Sequence, residues 1–141
     1  MSGLVTDVEV QVRYAETDQM GIAHHANYLI WCELARTHHM RKLGVSYREL
    51  EAQGVRLPVV EAHLRYRAPA RYDDVLQVRC WVRETSSRRV IFGYAVVRRV
   101  DERLLATAQT ALIAVDSSHA VTSIAVGVRE RLVPVPDPIR L

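Results

Sequence analysis

The chain has 141 residues and a formal net charge of +3; 49% of its residues are hydrophobic and 25% are charged. This balance predicts one folded domain over residues 1–141 and excludes a disordered chain. Arginine supplies almost all of the positive charge, but no zinc-finger, helix-turn-helix or RNA-binding motif accompanies it. Nucleic acid is therefore not expected as a partner.

The N-terminal sequence and the cysteines bear on location. MSGLVTDVEV has neither the basic segment nor the long apolar segment of a signal peptide. No apolar run approaches the roughly 20 residues that a membrane-spanning helix needs. Cys32 and Cys80 each lie in an apolar pattern and do not form a CxxC pair, which favours buried, reduced thiols. We therefore expect a cytoplasmic protein without a membrane span.

A predicted strand and helix flank a polar loop near the N-terminus. Residues 5–13 alternate between apolar and polar side chains, which predicts a strand with one buried face. In the loop, Asp18 is followed three residues later by Gly21, which permits positive φ, and seven residues later by His25. A helix is predicted over about residues 26–43, and its start would present unpaired N–H groups and a partial positive charge. We expect function here, because such groups polarise a carbonyl or hold an anion while a carboxylate attacks or activates water.

The helix itself has a distinct composition. Its first turns are apolar on nearly every side, which predicts a helix that is buried all round. Its last turns carry Arg36, Arg41 and Lys42, which suit a helix C-terminus electrostatically, and Gly44 suits the position just beyond its end. Ser46 is expected to cap a short second helix that ends near residue 53.

The rest of the chain is predicted to form strands and an extended tail. Alternating patterns predict strands over residues 58–68, 75–84 and 89–99. A stretch that is apolar on both faces predicts a central strand over residues 104–115. The tail, LVPVPDPIRL, has three prolines at alternate positions and is expected to lie extended along the surface. One long helix and about five antiparallel strands predict an α+β fold with the sheet wrapped around the helix. Because sheet edges are often paired between subunits, we expect a homodimer or a dimer of dimers.

The segments YAETDQMGIAHHANYL and WCELART resemble the hot-dog-fold acyl-CoA thioesterases. The nearest branch is the 4-hydroxybenzoyl-CoA thioesterase-like group, which includes the Tol–Pal-cluster acyl-CoA thioesterases. The similarity continues through LPVVEAHLRYRAPARYDD and SSRRVIFGY, so it covers most of the chain up to about Val115. It implies a hot-dog fold and hydrolysis of an acyl-CoA, with no cofactor besides the CoA of the substrate.

The resemblance also implies roles for particular residues. Asp18 matches the catalytic carboxylate, and Tyr14 matches an aromatic residue near that acid. His25 matches the helix-start position whose backbone N–H polarises the thioester carbonyl. Gly21 lies within the same signature and is expected to help bind substrate. The loop at Ser87, Arg88 and Arg89 resembles the contact surface for the nucleotide end of CoA.

Alternatives to these roles follow from the residues themselves. On local pattern alone, Asp18 is more simply a loop residue that forms an Asx turn. The histidines at positions 24, 25, 38 and 39 fit no known metal-ligand spacing, so no metal site is expected. The same scaffold could also carry a hydratase, a dehydratase or a non-catalytic acyl-CoA-binding module. The sequence leaves open whether Asp18 attacks directly or acts as a general base.

Overall fold

A computed structural model describes residues 3–141 of the chain. It contains one five-stranded antiparallel sheet, one long helix and two short helices. The strands are β1 (Val5–Gln11), β2 (Val59–Tyr66), β3 (Val75–Thr85), β4 (Arg89–Arg98) and β5 (Arg103–Ile113), and the helices are α1 (Asn27–Lys42), α2 (Tyr47–Ala52) and α3 (Val126–Arg129). The strand order is β1-β3-β4-β5-β2, so β1 and β2 are the two edges. The five predicted strands and the two predicted helices are confirmed, whereas α3 was not predicted.

The antiparallel pairing gives the sheet two distinct ends. At the front end β1 ends at Gln11, β2 ends at Tyr66 and β3 begins at Val75. At the back end β3 ends at Thr85 and β4 begins at Arg89. The polar loop after β1 and the start of α1 therefore both lie at the front end.

Helix α1 lies on one face of the sheet and buries one of its own sides there. Trp31, Cys32 and Ala35 are each only 1% exposed, whereas Ile30 and Leu34 are each 52% exposed. The expectation of a helix that is buried all round is therefore wrong. The sheet curls over one side of α1, and its opposite apolar side remains open in the single chain.

Sequence signals set the ends of the helices as expected. Gly44 follows the end of α1 with φ of +77°, a conformation that glycine adopts at little cost. The hydroxyl of Ser46 accepts a hydrogen bond from the Glu49 N–H at 3.4 Å, which caps α2.

The C-terminal tail crosses the face of the sheet that lies opposite α1. The Val135 N–H donates to the Val82 carbonyl at 3.0 Å. The Asp137 carboxylate accepts from the indole N–H of Trp81 at 2.9 Å and pairs with Arg83 at 2.8 Å. Trp81 is fully buried, with its ring lying against Gly93. The expected extended tail is confirmed, and it covers Trp81 on this face of the sheet.

Candidate active site

A cleft of about 350 Å³ opens at the front end of the sheet, beside the start of α1. Its volume lies within the range of small-molecule sites. The loop after β1, the first turn of α1 and the end of β2 all contribute to its walls. Its lining includes Asp18, Met20, Ile22, His25, Tyr28 and Tyr66. The structure thus brings Asp18 and His25 together at one cleft.

The loop at Asp18 is closed by its own hydrogen bonds. Asp18 Oδ1 accepts from the Met20 N–H at 2.9 Å, and the Asp18 carbonyl accepts from the Gly21 N–H at 3.0 Å. The Asp18 N–H donates to the Ile22 carbonyl at 2.9 Å, and Gly21 has φ of +77°. The simple interpretation of Asp18 as an Asx-turn residue is therefore correct for Oδ1. Within residues 3–141, Oδ2 receives no hydrogen bond, so half of the carboxylate remains available.

The turn that leads into α1 leaves one amide free. The His24 N–H donates to the Glu16 carbonyl at 2.7 Å, and the Asn27 N–H donates to the His24 carbonyl at 3.0 Å. The Ala26 N–H points at His24 Nδ1, at 3.3 Å. The hydrogen bonds among residues 3–141 include no acceptor for the His25 N–H. A free donor thus lies at the same cleft as the free carboxylate oxygen.

Two tyrosines hold the opposite wall of the cleft. The hydroxyl of Tyr66 donates to the His25 carbonyl at 3.1 Å, and the hydroxyl of Tyr28 accepts from the Ala70 N–H at 3.2 Å. Their rings meet edge to face with centroids 5.0 Å apart. Burial raises the pKa of both phenols, so both stay neutral near pH 7. Through Tyr66, the edge strand β2 is connected to the turn that carries the free amide.

The other residues that the resemblance implicates lie outside the cleft lining. Tyr14 is 77% exposed and packs edge to face on Tyr72, with ring centroids 5.7 Å apart. Ser87 and Arg88 lie in the β3–β4 connection at the back end, and Arg89 begins β4. Because β3 has 11 residues, this connection is about 30 Å from the cleft within one chain.

Glu16 is a site residue that the sequence patterns did not indicate. Its side chain is buried, and one of its oxygens accepts from the indole N–H of Trp31 at 3.0 Å. Its carbonyl accepts from His24, beside the free amide. No sequence pattern marks Glu16 as a site residue, because its role depends on contacts that form only in the folded chain.

The histidines do not gather into a metal site. Within residues 3–141, no group of three or more His, Cys, Asp or Glu side chains has the arrangement of a metal site. His39 is buried near the far end of α1, where its Nδ1 lies 2.7 Å from the Thr6 hydroxyl. Burial lowers the pKa of His39 to about 4, so it is neutral at pH 7.

The family model of the thioesterase-like superfamily matches residues 12–140 of the chain. The chain belongs to this superfamily. The putative acyl-CoA thioesterase YneP of Bacillus subtilis is 40% identical to this thioesterase over 98 residues, which cover 70% of this chain and 71% of YneP. The predicted family is therefore confirmed.

Solved structures agree with the observed architecture. A hypothetical protein, TT1821, from Thermus thermophilus matches with a TM-score of 0.84 and 38% identity, over 92% of this chain and 95% of that one. The DHNA-CoA thioesterase of Staphylococcus aureus matches with a TM-score of 0.79 and 33% identity, over 85% and 79%. The thioesterase therefore has the hot-dog fold that the sequence predicted. No helix within residues 3–141 is long and apolar enough to cross a membrane.

Proposed function

We propose that this thioesterase hydrolyses an acyl-CoA to a free acid and CoA at the cleft beside α1. The observation that carries the proposal is that Asp18 Oδ2 and the His25 N–H both lack protein partners within residues 3–141 and line one cleft. A free carboxylate oxygen and a free amide donor are the two groups that thioester hydrolysis needs. The names of YneP and of the Staphylococcus aureus enzyme, which refer to CoA thioesters, support this substrate class.

The His25 N–H polarises the thioester carbonyl and stabilises the oxyanion that develops on its oxygen. One such donor is typically worth about 3 to 4 kcal/mol of the barrier. Its position at the start of α1 adds the partial positive charge of the helix end. Once an oxygen has added to the acyl carbon, the C–S bond breaks and CoA leaves as a thiolate, which is a good leaving group, so this chemistry uses no cofactor.

Asp18 can act in two ways at this carbonyl. In the first, Asp18 Oδ2 bonds to the acyl carbon, CoA leaves, and water hydrolyses the resulting mixed anhydride. In the second, Asp18 takes a proton from a water molecule whose oxygen bonds to the acyl carbon directly. A single turnover in water labelled with oxygen-18 separates the routes by mass spectrometry. Label in Asp18 after one turnover identifies direct attack, with water adding to the aspartyl carbon of the anhydride, whereas general-base catalysis places the label only in the product acid.

A second copy of the chain would complete the site through the edge strand β2. Every residue of β2 except Leu64 is exposed, including the large apolar residues Val59, Val60 and Tyr66. An unpaired strand with apolar side chains invites pairing with another strand. We infer a homodimer in which two β2 strands pair antiparallel about a two-fold axis.

The charges on β2 favour one register for this pairing. Glu61 and Arg65 lie on the same face of β2, at equal distances on either side of His63. A two-fold axis at His63 places Arg65 of one protomer opposite Glu61 of its partner, twice over. Opposite charges across a strand pair are stabilising, and like charges are not.

The same pairing would bring the predicted CoA-binding loop to the cleft. Antiparallel β2 strands set the front end of one sheet beside the back end of the other. The β3–β4 connection of the partner then lies about 15 to 20 Å to the side of the cleft, because each strand spacing is about 4.8 Å. Ser87, Arg88 and Arg89 of one protomer would thus meet the nucleotide end of a CoA bound at the other.

Charge reversal tests this dimer. Arg65→Glu should weaken self-association about ten-fold, because it creates two like-charged pairs worth somewhat under 1 kcal/mol each. The double variant Glu61→Arg with Arg65→Glu should restore it. Sedimentation equilibrium measures both. Equal association of Arg65→Glu and the parent, or no rescue by the double variant, would contradict this register.

Thiol release over a panel of short-chain, long-chain and aromatic acyl-CoAs tests the function itself. Release of CoA by the parent protein above the spontaneous rate supports the proposal. Thermal stabilisation by acyl-CoA without thiol release would instead support a binding module. Addition or loss of water in the acyl chain with the thioester intact would support a hydratase or a dehydratase.

A further inference from the structure

Glu16 lies two residues before the proposed catalytic acid and is 6% exposed. Its Oε1 accepts from the Arg13 N–H at 2.8 Å, and its Oε2 accepts from the Trp31 indole N–H at 3.0 Å. Burial alone would raise the pKa of Glu16, but these hydrogen bonds outweigh burial and lower the pKa. Because both oxygens are occupied, Glu16 is suited to hold other groups and not to react.

The backbone of Glu16 holds the other half of the site. Its carbonyl accepts from the His24 N–H at 2.7 Å and from the side-chain amide of Asn27 at 2.8 Å. His24 precedes the free amide of His25, and Asn27 begins α1. The carbonyl of Glu16 therefore fixes the turn from which the oxyanion donor projects.

The side chain of Glu16 fixes the loop to the core. Trp31 is 1% exposed, and its ring packs on Tyr28 with centroids 4.8 Å apart. The hydrogen bond from Trp31 thus connects the segment before Asp18 to a residue that cannot move without disturbing α1. Only Thr17 separates Glu16 from Asp18, and Thr17 pairs with Ala23 across the loop.

We propose that Glu16 is a positioning residue that sets the placement of the Asp18 carboxylate relative to the His25 N–H. This inference rests on the proposed function. One residue joins the acid's segment to α1 through its carboxylate and to the oxyanion turn through its carbonyl. A buried charge held by two donors resists displacement more strongly than a neutral loop contact, because moving it leaves both the carboxylate and its donors without partners.

The variant Glu16→Gln tests the role with little change in shape. Its amide NH₂ would face the indole N–H or the Arg13 N–H, so one hydrogen bond is lost and two donors oppose each other. We expect kcat to fall about ten- to hundred-fold with KM changed less than three-fold, because small displacements of reacting groups are costly. Glu33→Gln, an exposed acid two residues beyond Trp31, should leave both constants unchanged. A Glu16→Gln protein that folds and keeps kcat within two-fold of the parent would overturn the inference.

A second variant and a double variant guard against a merely structural effect. Trp31→Phe keeps a six-membered aromatic ring but removes the indole N–H together with the volume of the second ring. One lost hydrogen bond should lower kcat about five-fold, and thermal unfolding measures the cost of the lost volume separately. Adding Glu16→Gln to Asp18→Asn should cost little further rate, because Glu16 acts through Asp18. A full multiplicative loss in the double variant would contradict positioning.

Amide exchange followed by NMR tests the same contacts without any assay of turnover. In Glu16→Gln the protection of the His24 N–H and the Trp31 indole N–H should fall at least about ten-fold. Amides of β4 should keep the protection that they have in the parent. Unchanged protection at both sites would overturn the inference even if the protein hydrolysed no acyl-CoA. An inactive parent that shows the expected exchange would count against the proposed function alone.

Discussion

Two loops of this thioesterase share one local backbone geometry and differ in what surrounds them. In the loop at Asp18, residues 17 and 23 form an isolated bridge; in the loop at Asp116, residues 115 and 121 do the same. In each loop the aspartate accepts from the N–H two residues later at 2.9 Å. In each, the residue three positions after the aspartate has positive φ, +77° at Gly21 and +65° at His119.

Within residues 3–141, Oδ2 receives no hydrogen bond in either aspartate, so the two loops differ in the donors on Oδ1 and in what surrounds each loop. Asp116 Oδ1 also accepts from the Ser118 hydroxyl at 2.7 Å and from the Ala120 N–H at 3.0 Å. Its loop follows the back end of β5, where it is exposed. The loop of Asp18 leads directly into α1 and borders the cleft. An Asx turn is therefore compatible with the proposed catalytic role, and the neighbouring helix start distinguishes the loop of Asp18 from the loop of Asp116.

The largest expected effect comes from changing each aspartate to asparagine. Asn keeps the Oδ1 acceptor of the turn and removes the charge. Asp18→Asn should lower kcat about 10³-fold, within the range for loss of a general base. Asp116→Asn should stay within two-fold of the parent. Thiol release measures both, and equal activity of the two variants would remove the distinction between the loops.

The next largest effect concerns the free amide. His25→Pro removes the N–H, which has no protein acceptor to lose, so kcat should fall about 10²- to 10³-fold. His25→Ala keeps the N–H and should retain activity within about ten-fold. Circular dichroism and thermal unfolding verify that both variants fold. If the alanine variant were as inactive as the proline variant, the imidazole would be the working group instead of the amide.

A smaller effect is expected on stability from the residues with positive φ. Gly21→Ala should lower the free energy of unfolding by about 1 kcal/mol, because an L-residue is strained there. Nothing lies within 4 Å of an added Cβ at Gly21, so no steric clash adds to this cost. His119→Gly should raise the free energy of unfolding by about 0.5 kcal/mol, since relief of strain is partly offset by chain entropy. Urea unfolding measures both, and changes of the same sign would contradict the assignment.

The smallest expected effect is on one titration. The Ser118 hydroxyl and nearby N–H groups hold the pKa of Asp116 below its ordinary value. Ser118→Ala should therefore raise the pKa of Asp116, as measured by NMR titration. Because the folded pKa is lowered, the associated stability is present above the unfolded pKa of about 3.9 and is lost as pH falls through the folded pKa. An unchanged pKa in Ser118→Ala would show that the backbone donors suffice.

The sequence predicted much of the fold because alternation and capping are local signals. Strands β1, β2 and β3 follow period-two sequence patterns, and β5 was predicted from a stretch that is apolar on both faces. Gly44 and Ser46 mark helix ends through their own chemistry. Asp18 and His25 were predicted as site residues from the loop pattern together with the family resemblance, and the bridge between Thr17 and Ala23 draws their segments together.

The features of the fold and the site that could not be predicted from the sequence depend on contacts between distant segments. Arg36 was assigned to the end of α1 by its charge, yet it is buried and donates to the hydroxyls of Tyr47 and Tyr94. Glu16 becomes significant only when Trp31 meets it across 15 residues. Ser87 and its neighbours lie at the back end because of how the strands pair, and strand pairing cannot be predicted from a local sequence pattern.

Gly93 lies beneath the Trp81 ring, and Trp81 holds the C-terminal tail on the outer face of the sheet. A substitution at Gly93 would therefore detach the tail. An added methyl group there would lie 2.6 to 2.7 Å from the Trp81 ring, so the indole would have to tilt away. Tilting would break the hydrogen bond from the Trp81 N–H to Asp137. Asp137 would then be held less firmly in its ion pair with Arg83. A change of one carbon in the middle of the sheet would thus loosen residues more than 40 positions later, with no direct contact between the two.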